Sequence, residues 1–159
     1  MSHIQLDMAF FISTNEVGEN NMSELPDRLQ EIVEDFGLCV GQEKLEYLLE
    51  FAEALPPLPE QFADKRDEME EVHECITPVF IYAENDNGRY HYHFDIPPEA
   101  PTVSGFARIL QEGMDGLNSA EIQAIPSEFY LDMGLQTVLT GQRLNGISAM
   151  LMHMKNLAK

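Results

Sequence analysis

Tryptophan is absent from this chain of 159 residues, and basic residues are scarce. There are 9 lysines and arginines against 28 aspartates and glutamates, which gives a formal net charge of -19. A surface this acidic repels phosphate groups, so the composition argues against nucleic acids and anionic membranes as partners. Two interpretations of the charge stay open: it favours a basic protein partner, or it only keeps the protein soluble.

Cysteine and long apolar runs are also scarce. Cys39 and Cys75 have neither the spacing of a zinc finger nor that of a disulfide framework, so we expect reduced thiols. No apolar run reaches the roughly 18 residues of a membrane span. The first residues, MSHIQLDMAFFISTN, lack the basic start of a signal peptide. We therefore expect a cytoplasmic protein.

Several catalytic motifs are missing as well. The sequence contains no C-x-x-C pair, no glycine-rich phosphate loop and no G-x-S-x-G elbow. A thiol redox pair, a nucleotide-binding loop and a serine hydrolase are therefore not indicated.

The length fits a single domain with an ordinary core. Residues 1–22 end in a stretch rich in Asn, Gly and Glu, and we predict that they form a flexible N-terminal arm. Residues 23–159 are then the domain itself.

The clearest secondary-structure signal lies in the middle of the chain. Residues 78–83, PVFIYA, are apolar, and residues 89–95, RYHYHFD, alternate in polarity. Between them, Gly88 supplies the positive φ that a tight turn needs. We predict an antiparallel hairpin that begins at Pro78, because proline has no N–H to donate and suits the first residue of a strand. Cys75 then falls in the bend before the first strand, at the mouth of the hairpin.

Two helices are predicted before the hairpin, because apolar residues recur there at helical spacing. Ser23 offers a cap for the first helix, which ends at Gly37. The second helix runs from about Gly41 to Ala54 and stops at the proline-rich residues 55–59. Cys39, in the joint between the helices, is expected to be a small buried filler.

Beyond the hairpin we predict a further helical turn, which begins at Pro126 and Ser127 and is closed by Gly134, and three helices. They run from Thr102 to about Met114, over a short segment capped by Asn118 or Ser119, and from Gly141 to about Leu157 with Thr140 as cap. The end of the charged stretch 60–74 is expected to pair as a short edge strand. We therefore predict an α+β fold of two layers, a small three-stranded antiparallel sheet covered on one face by helices.

Cys75 is the first candidate for chemistry, because a loop cysteine acts as a nucleophile once it is a thiolate. The glutamates within residues 70–74 are expected to raise the pKa of this thiol, whereas His73 or a distant arginine would lower it. A buried, inert cysteine is the alternative, and it is the commoner fate of this residue type. The local sequence leaves both open.

Histidines offer a second candidate site. His91 and His93 are two residues apart on a predicted strand, so they point to the same face. Together with His73 and Cys75 they number the four ligands of a zinc site. The spacing is not that of a known structural motif, and a polar outer face of the hairpin explains the same residues without a metal.

Arg143 lies in the first turn of the last predicted helix, where the helix dipole favours anions rather than cations. Its position requires another explanation. Three stay open: a hydrogen-bond anchor at a buried edge, a group that holds an anionic sulfur, and a surface salt bridge.

Three segments together resemble the SufE family of sulfur-acceptor proteins. Residues 43–62, EKLEYLLEFAEALPPLPEQF, are similar to the family's helix that ends in a Leu-Pro stop. Residues 72–84, VHECITPVFIYAE, are similar to its valine, cysteine and following apolar strand. Residues 133–151, MGLQTVLTGQRLNGISAML, resemble its Gly-Leu, Leu-Thr/Ser, Arg and Gly-Leu-x-Ala-Met signature. The segments stand in the family's order, and the resemblance spans residues 42–155.

The resemblance implies a specific activity. Family members accept sulfane sulfur from the persulfide of a pyridoxal-phosphate cysteine desulfurase such as SufS, stimulate that enzyme, and pass the sulfur to an iron-sulfur scaffold complex such as SufB. By position, Cys75 is the acceptor that becomes a persulfide, and Arg143 is the arginine near it. Asn145 and Gly146 match the helix positions that follow. The family fold is shared with IscU-related cluster scaffolds, which agrees with the α+β prediction.

This resemblance implies an accessory protein of the sulfurtransferase kind, with no resident cofactor or metal and no independent catalysis. We expect the loops Gln61–Glu74 and Ile96–Pro101 to shelter the persulfide. Around Cys75 the chain departs from the glycine and Gln-Ser-Gln of many members, with Glu74 before it and Ile76-Thr77-Pro78 after it. It resembles the subset that has Glu-Cys and Thr-Pro.

Other classes of function stay open at this point. One is a non-catalytic adaptor that activates a desulfurase by docking alone. Another is a scaffold that binds zinc or a cluster through Cys75 and the histidines. A cysteine hydrolase is not indicated, because no histidine has the context of its general base.

Overall fold

A computed structural model describes residues 25–159, which fold into helices packed on a three-stranded sheet. The predicted arm, residues 1–22, and the predicted cap Ser23 lie outside the described residues. The helices are α1 (Asp27–Leu38), α2 (Gln42–Ala54), α3 (Pro101–Gly113), α4 (Ser119–Gln123) and α5 (Gly141–Leu157). The strands are β1 (Glu70–Glu71), β2 (Phe80–Asp86) and β3 (Arg89–Asp95).

The sheet is antiparallel in the order β1-β2-β3. The predicted hairpin is confirmed: β2 pairs with β3 from Phe80 opposite Asp95 to Asp86 opposite Arg89. Its turn uses positive φ at Asn87 (54°) and Gly88 (89°). The hairpin begins two residues later than predicted, at Phe80, and β1 is the expected short edge strand.

One face of the sheet is buried under helices. Tyr90, Tyr92 and Phe94 alternate along β3 on the buried face. The Tyr92 hydroxyl donates to the Met154 carbonyl of α5 at 2.8 Å, and the Gln111 amide of α3 donates to the Tyr92 carbonyl at 2.9 Å. These bonds fix α3 and α5 across the sheet, so the predicted α+β architecture is confirmed.

Helix α3 lies at the centre of the helical layer. Nine of its residues are buried, among them Val103, Phe106, Ile109 and Leu110, as the sequence pattern predicts. Helix α2 approaches it so closely at Gly105 that the backbones are almost in contact. An amphipathic stripe of α1, consisting of Leu29, Ile32, Val33 and Phe36, covers the remaining side.

Two helix caps predicted from the sequence are confirmed. Asn118 and Glu121 form a capping box at the start of α4. At the start of α5, the Thr140 hydroxyl accepts from the Arg143 amide at 3.3 Å. This cap fixes where α5 begins, and therefore where Arg143 stands.

Cys39 is partly exposed, so the prediction of a buried filler is wrong. The residue follows the last turn of α1, where the joint to α2 turns away from the core. Its neighbours Leu38 and Val40 are 82% and 75% exposed. The Cys39 thiol donates to the Asp35 carbonyl at 3.6 Å.

Candidate functional site

The topology of the hairpin determines the position of Cys75. The ladder between β2 and β3 ends at Phe80 and Asp95. The chain before Phe80 and the chain after Asp95 therefore emerge at the same end of the hairpin. The first of these segments contains the bend with Cys75, and the second leads through Ile96 into α3. The N-terminal turns of α5 complete the site.

These three segments enclose a pocket of about 120 Å³. Its lining comes from the bend (Cys75, Ile76, Thr77), the start of α3 and the residues before it (Glu99, Ala100, Val103), and the start of α5 (Gln142, Arg143, Gly146). Cys75 and Arg143, which are 68 positions apart in sequence (143 − 75), therefore line the same pocket.

Cys75 is half-buried and turned towards α5. Its thiol donates to the Gly146 carbonyl at 3.7 Å, and its amide donates to the Val72 carbonyl at 3.3 Å. A Cβ at position 146 would lie 3.0 Å from the Cys75 sulfur. The lack of a side chain at Gly146 therefore leaves the space in which the thiol packs against the helix.

Arg143 is held by a hydrogen bond across the pocket wall. Its Nη1 donates to the hydroxyl of Thr102, in the first turn of α3, at 2.7 Å. Thr102 is buried at 9% exposure. The structure therefore shows the hydrogen bond of the first explanation, although Arg143 itself is exposed. Its role towards an anionic sulfur stays a prediction. Nothing in the sequence around Thr102 identified it as the partner, because the contact joins residues far apart in the chain.

The surroundings of Cys75 raise the pKa of its thiol. Burial is the larger cause, since it disfavours the charged thiolate, and the negative charge of Glu74 adds to it. The sequence correctly predicts the effect of Glu74, but the burial depends on the fold. Both effects favour the protonated thiol, which is a weaker nucleophile than the thiolate.

The histidines do not gather around Cys75. His91 bonds to Asp115 at 2.6 Å and His93 to Glu84 at 2.9 Å, both on the face of the sheet away from the core. His73 is exposed. Within residues 25–159, no group of three or more His, Cys, Asp or Glu side chains is arranged to hold a metal ion. The four residues considered as zinc ligands are thus not brought together.

Of the two stretches expected to shelter the sulfur, one lies at the pocket. Residues of the stretch Ile96–Pro101 do line the pocket, through Glu99 and Ala100. The stretch Gln61–Glu74 contributes no lining residue, and the start of α5 takes that place. Residues 61–71 lie instead along the outer side of β2, where Glu71 pairs with Phe80 and Arg66 bonds to Asp95.

Substitution of Gly146 by Ala should make Cys75 more accessible. The added Cβ must displace the sulfur by a few tenths of an ångström, while alanine in a helix is otherwise favourable by up to about 1 kcal/mol. We expect faster alkylation of Cys75 by iodoacetamide with no loss of thermal stability. Gly141→Ala in the same helix is the control, because its Cβ would meet nothing within 4 Å. Equal alkylation rates in both variants would show that Gly146 does not confine the thiol.

Comparison with known proteins gives a consistent result. The family model described as "SufE: Fe-S metabolism associated domain" matches residues 30–158. A solution structure of a hypothetical protein from Thermus thermophilus superimposes with a TM-score of 0.73 at 34% identity, covering 84% of this chain and 95% of that one.

Two relatives extend the comparison. An uncharacterized SufE-like protein of Mycobacterium tuberculosis is 45% identical over 134 residues, which are 84% of this chain and 92% of that protein. SufE-like protein 1, chloroplastic/mitochondrial, of Arabidopsis thaliana is 31% identical over 86% of this chain and 36% of the plant protein. The chain therefore belongs to the SufE family, whose domain is associated with iron-sulfur metabolism.

Proposed function

We propose that this protein accepts sulfane sulfur on Cys75 from the persulfide of a cysteine desulfurase and passes it on to iron-sulfur cluster assembly. Within a SufE domain, the observation that carries the proposal is the position of Cys75, half-buried in a pocket whose wall includes an anchored arginine. The pocket covers Cys75 without sealing it, since this residue is only partly buried and the adjacent Ile76 is 75% exposed.

The transfer step is a thiol-persulfide exchange. The Cys75 thiolate attacks the terminal sulfur of the donor persulfide, and a bond forms between the two sulfur atoms. The bond between that terminal sulfur and the donor cysteine breaks, and its electron pair leaves with the donor as a thiolate. The proton of the persulfide stays with the sulfur that moves. No oxidant or reductant is consumed.

The proposed reaction uses two positions of the bend, and the pKa of the Cys75 thiol differs between them. In the closed position the thiol is protonated and protected. When the bend moves out towards a donor, water replaces the apolar surroundings, the pKa falls towards its ordinary value, and the thiolate becomes available. Access and thiolate fraction, which set the rate of such exchanges, then rise together.

The closed pocket suits the product of the transfer. Its volume of about 120 Å³ exceeds the roughly 30 Å³ that a water molecule occupies in the liquid, so one further sulfur atom fits. A persulfide is more acidic than a thiol, and the Arg143 guanidinium on the pocket wall favours its anion. The carboxylate of Glu99 lines the same pocket and opposes this effect.

The surface is suited to a protein partner. Ile76 offers a large apolar contact beside the reactive sulfur, and the net charge of -19 favours a basic rim on the partner. The partners that we propose are a SufS-like desulfurase as donor and a SufB-like scaffold complex as receiver. Among residues 25–159 the structure contains no helix that could span a bilayer. We propose that the transfer takes place in the cytoplasm and that residues 23–159 are the working domain.

The direct test of the proposed partnership is the rate of alanine formation by a cysteine desulfurase from the same organism. We expect the rate to rise with the concentration of this protein and to saturate. A rate that stays constant over a wide range of concentration would contradict the proposal.

Arg143→Ala should slow the acceptance of sulfur by about tenfold, the loss that corresponds to about 1.4 kcal/mol. The variant loses both the bond to Thr102 and the cation at the pocket. The readout is the initial rate of persulfide formation, measured in a Cys39→Ser background by gel shift as the maleimide label that a reductant releases. Arg89→Ala is the matched control, since Arg89 bonds to the Gly116 carbonyl at the other end of the hairpin. Equal rates in the two variants would exclude a role for Arg143.

A further inference from the structure

A histidine of α5 is attached to the bend that contains Cys75. The Nε2 of His153 lies 3.0 Å from a carboxylate oxygen of Glu74, the residue before Cys75. The Nδ1 of the same ring bonds to Glu70 in β1. The side chain of His153 is 13% exposed. One imidazole thus joins the helix both to the edge strand and to the bend.

The partners determine the protonation of this ring. Ionised carboxylates accept hydrogen bonds and cannot donate them, so bonds from both ring nitrogens at once require the imidazolium form of His153. Burial alone would lower its pKa, but the bonds to Glu70 and Glu74 outweigh burial and raise it. In return, the bond to His153 lowers the pKa of Glu74. The arrangement is a charge-assisted bridge rather than a chance contact.

Between Val72 and Val79, which are buried and bonded to each other, the bend has few other attachments to the rest of the fold. Strand β1 contains two residues, and the chain from Val72 to Val79 lies outside any strand. Within this bend, Cys75 touches α5 through Gly146, and Glu74 touches α5 through His153. If the bond between Glu74 and His153 breaks, the bond between Cys75 and Gly146 still holds the bend against α5.

We propose that His153 is a positioning residue, which in its protonated form holds the Cys75 bend closed through Glu74 and releases it as the pH rises. This inference rests on the proposed function for its purpose, since an opened bend is what presents Cys75 to a desulfurase. His153 then sets how readily the sulfur acceptor leaves its pocket.

The direction of the pH effect follows from the raised pKa of His153. The bridge is fully formed below the ordinary pKa of histidine, about 6.5, and is lost as the pH rises through the higher value in the folded protein. At acid pH it also weakens once Glu74 becomes protonated, below its ordinary pKa of 4.5. Glu68, Glu71 and His73 border the same recess. The negative charge of the two glutamates favours the imidazolium.

The test is the alkylation of Cys75 by iodoacetamide in a Cys39→Ser background, with and without His153→Gln. Rates are expressed per thiolate, using the thiol pKa measured in each variant, so that they report access alone. We expect the variant to react about threefold faster at about pH 6, the size expected for a partly exposed ion pair, and equally fast at about pH 8.5. His91→Gln is the matched control, because it breaks an imidazole-carboxylate pair of the same kind with Asp115.

Glu74→Gln opens the bridge from the exposed side and keeps the test decisive if His153→Gln fails to fold. It should raise the rate per thiolate as much as His153→Gln does, and the double variant should react no faster than either single variant. The proposal would be overturned if the variants and the parent protein reacted at the same rate per thiolate at all pH values. It would also be overturned if the variants reacted faster by a factor that does not change with pH. Because alkylation involves no desulfurase, this result and the sulfur-acceptor proposal can fail separately.

Discussion

Replacement of Cys75 by Ser is expected to abolish both the acceptance of sulfur and the stimulation of a cysteine desulfurase. A serine hydroxyl is not ionised near neutral pH and does not exchange with a persulfide, so the transfer has no nucleophile. The fold should be unchanged, because the hydroxyl replaces a half-buried thiol of similar shape and can still donate to the Gly146 carbonyl. The loss is therefore chemical.

The measurement is the rate of alanine formation by the desulfurase at saturating concentrations of each variant. Cys39→Ser serves as the control, because Cys39 lies in the joint between α1 and α2 and does not line the pocket. It should stimulate as well as the unchanged protein. If Cys75→Ser still stimulates fully, the protein is a docking adaptor and the sulfur-acceptor mechanism is wrong.

Gly105→Ala should reduce the free energy of unfolding by about 1–3 kcal/mol, the usual cost of overpacking a core. A Cβ at this position would lie 2.3 Å from the Leu48 carbonyl oxygen of α2. That oxygen belongs to the backbone of a packed helix, so it cannot move aside as a side chain would. The two helices must separate, and the buried side chains of α3 lose contacts.

Chemical denaturation of the two proteins measures this difference. Gly37→Ala in α1 is the matched control, because its Cβ would meet nothing within 4 Å. There, alanine should raise stability by about 0.5–1 kcal/mol through its better helix propensity. A stable Gly105→Ala variant would mean that α2 and α3 do not pack as closely as described.

The sequence predicts the hairpin and the helix caps well because their causes are local. Gly88 at the turn and Thr140 before α5 act on neighbouring residues, and the structure confirms both. The chain's resemblance to the SufE family adds the pairing of Cys75 with Arg143, and both residues line one pocket. Their roles in sulfur transfer remain predictions.

The contacts that complete the site join distant parts of the chain, and the sequence gives no sign of them. Thr102 contacts Arg143 only because α3 and α5 begin at the same end of the hairpin. His153 meets Glu74 because α5 crosses behind the bend, at a distance of 79 residues in sequence. The partial burial of Cys75 and of Cys39 likewise depends on where each segment lies relative to the core.

The central claim is that one sulfur atom moves from a desulfurase to Cys75. The most direct measurement is peptide mass spectrometry of this protein after incubation with the desulfurase, cysteine and an alkylating agent. We predict that the tryptic peptide containing Cys75 gains the mass of one additional sulfur, while the peptide containing Cys39 does not. Sulfur on Cys39 alone, or on neither cysteine while the desulfurase turns over, would contradict the account.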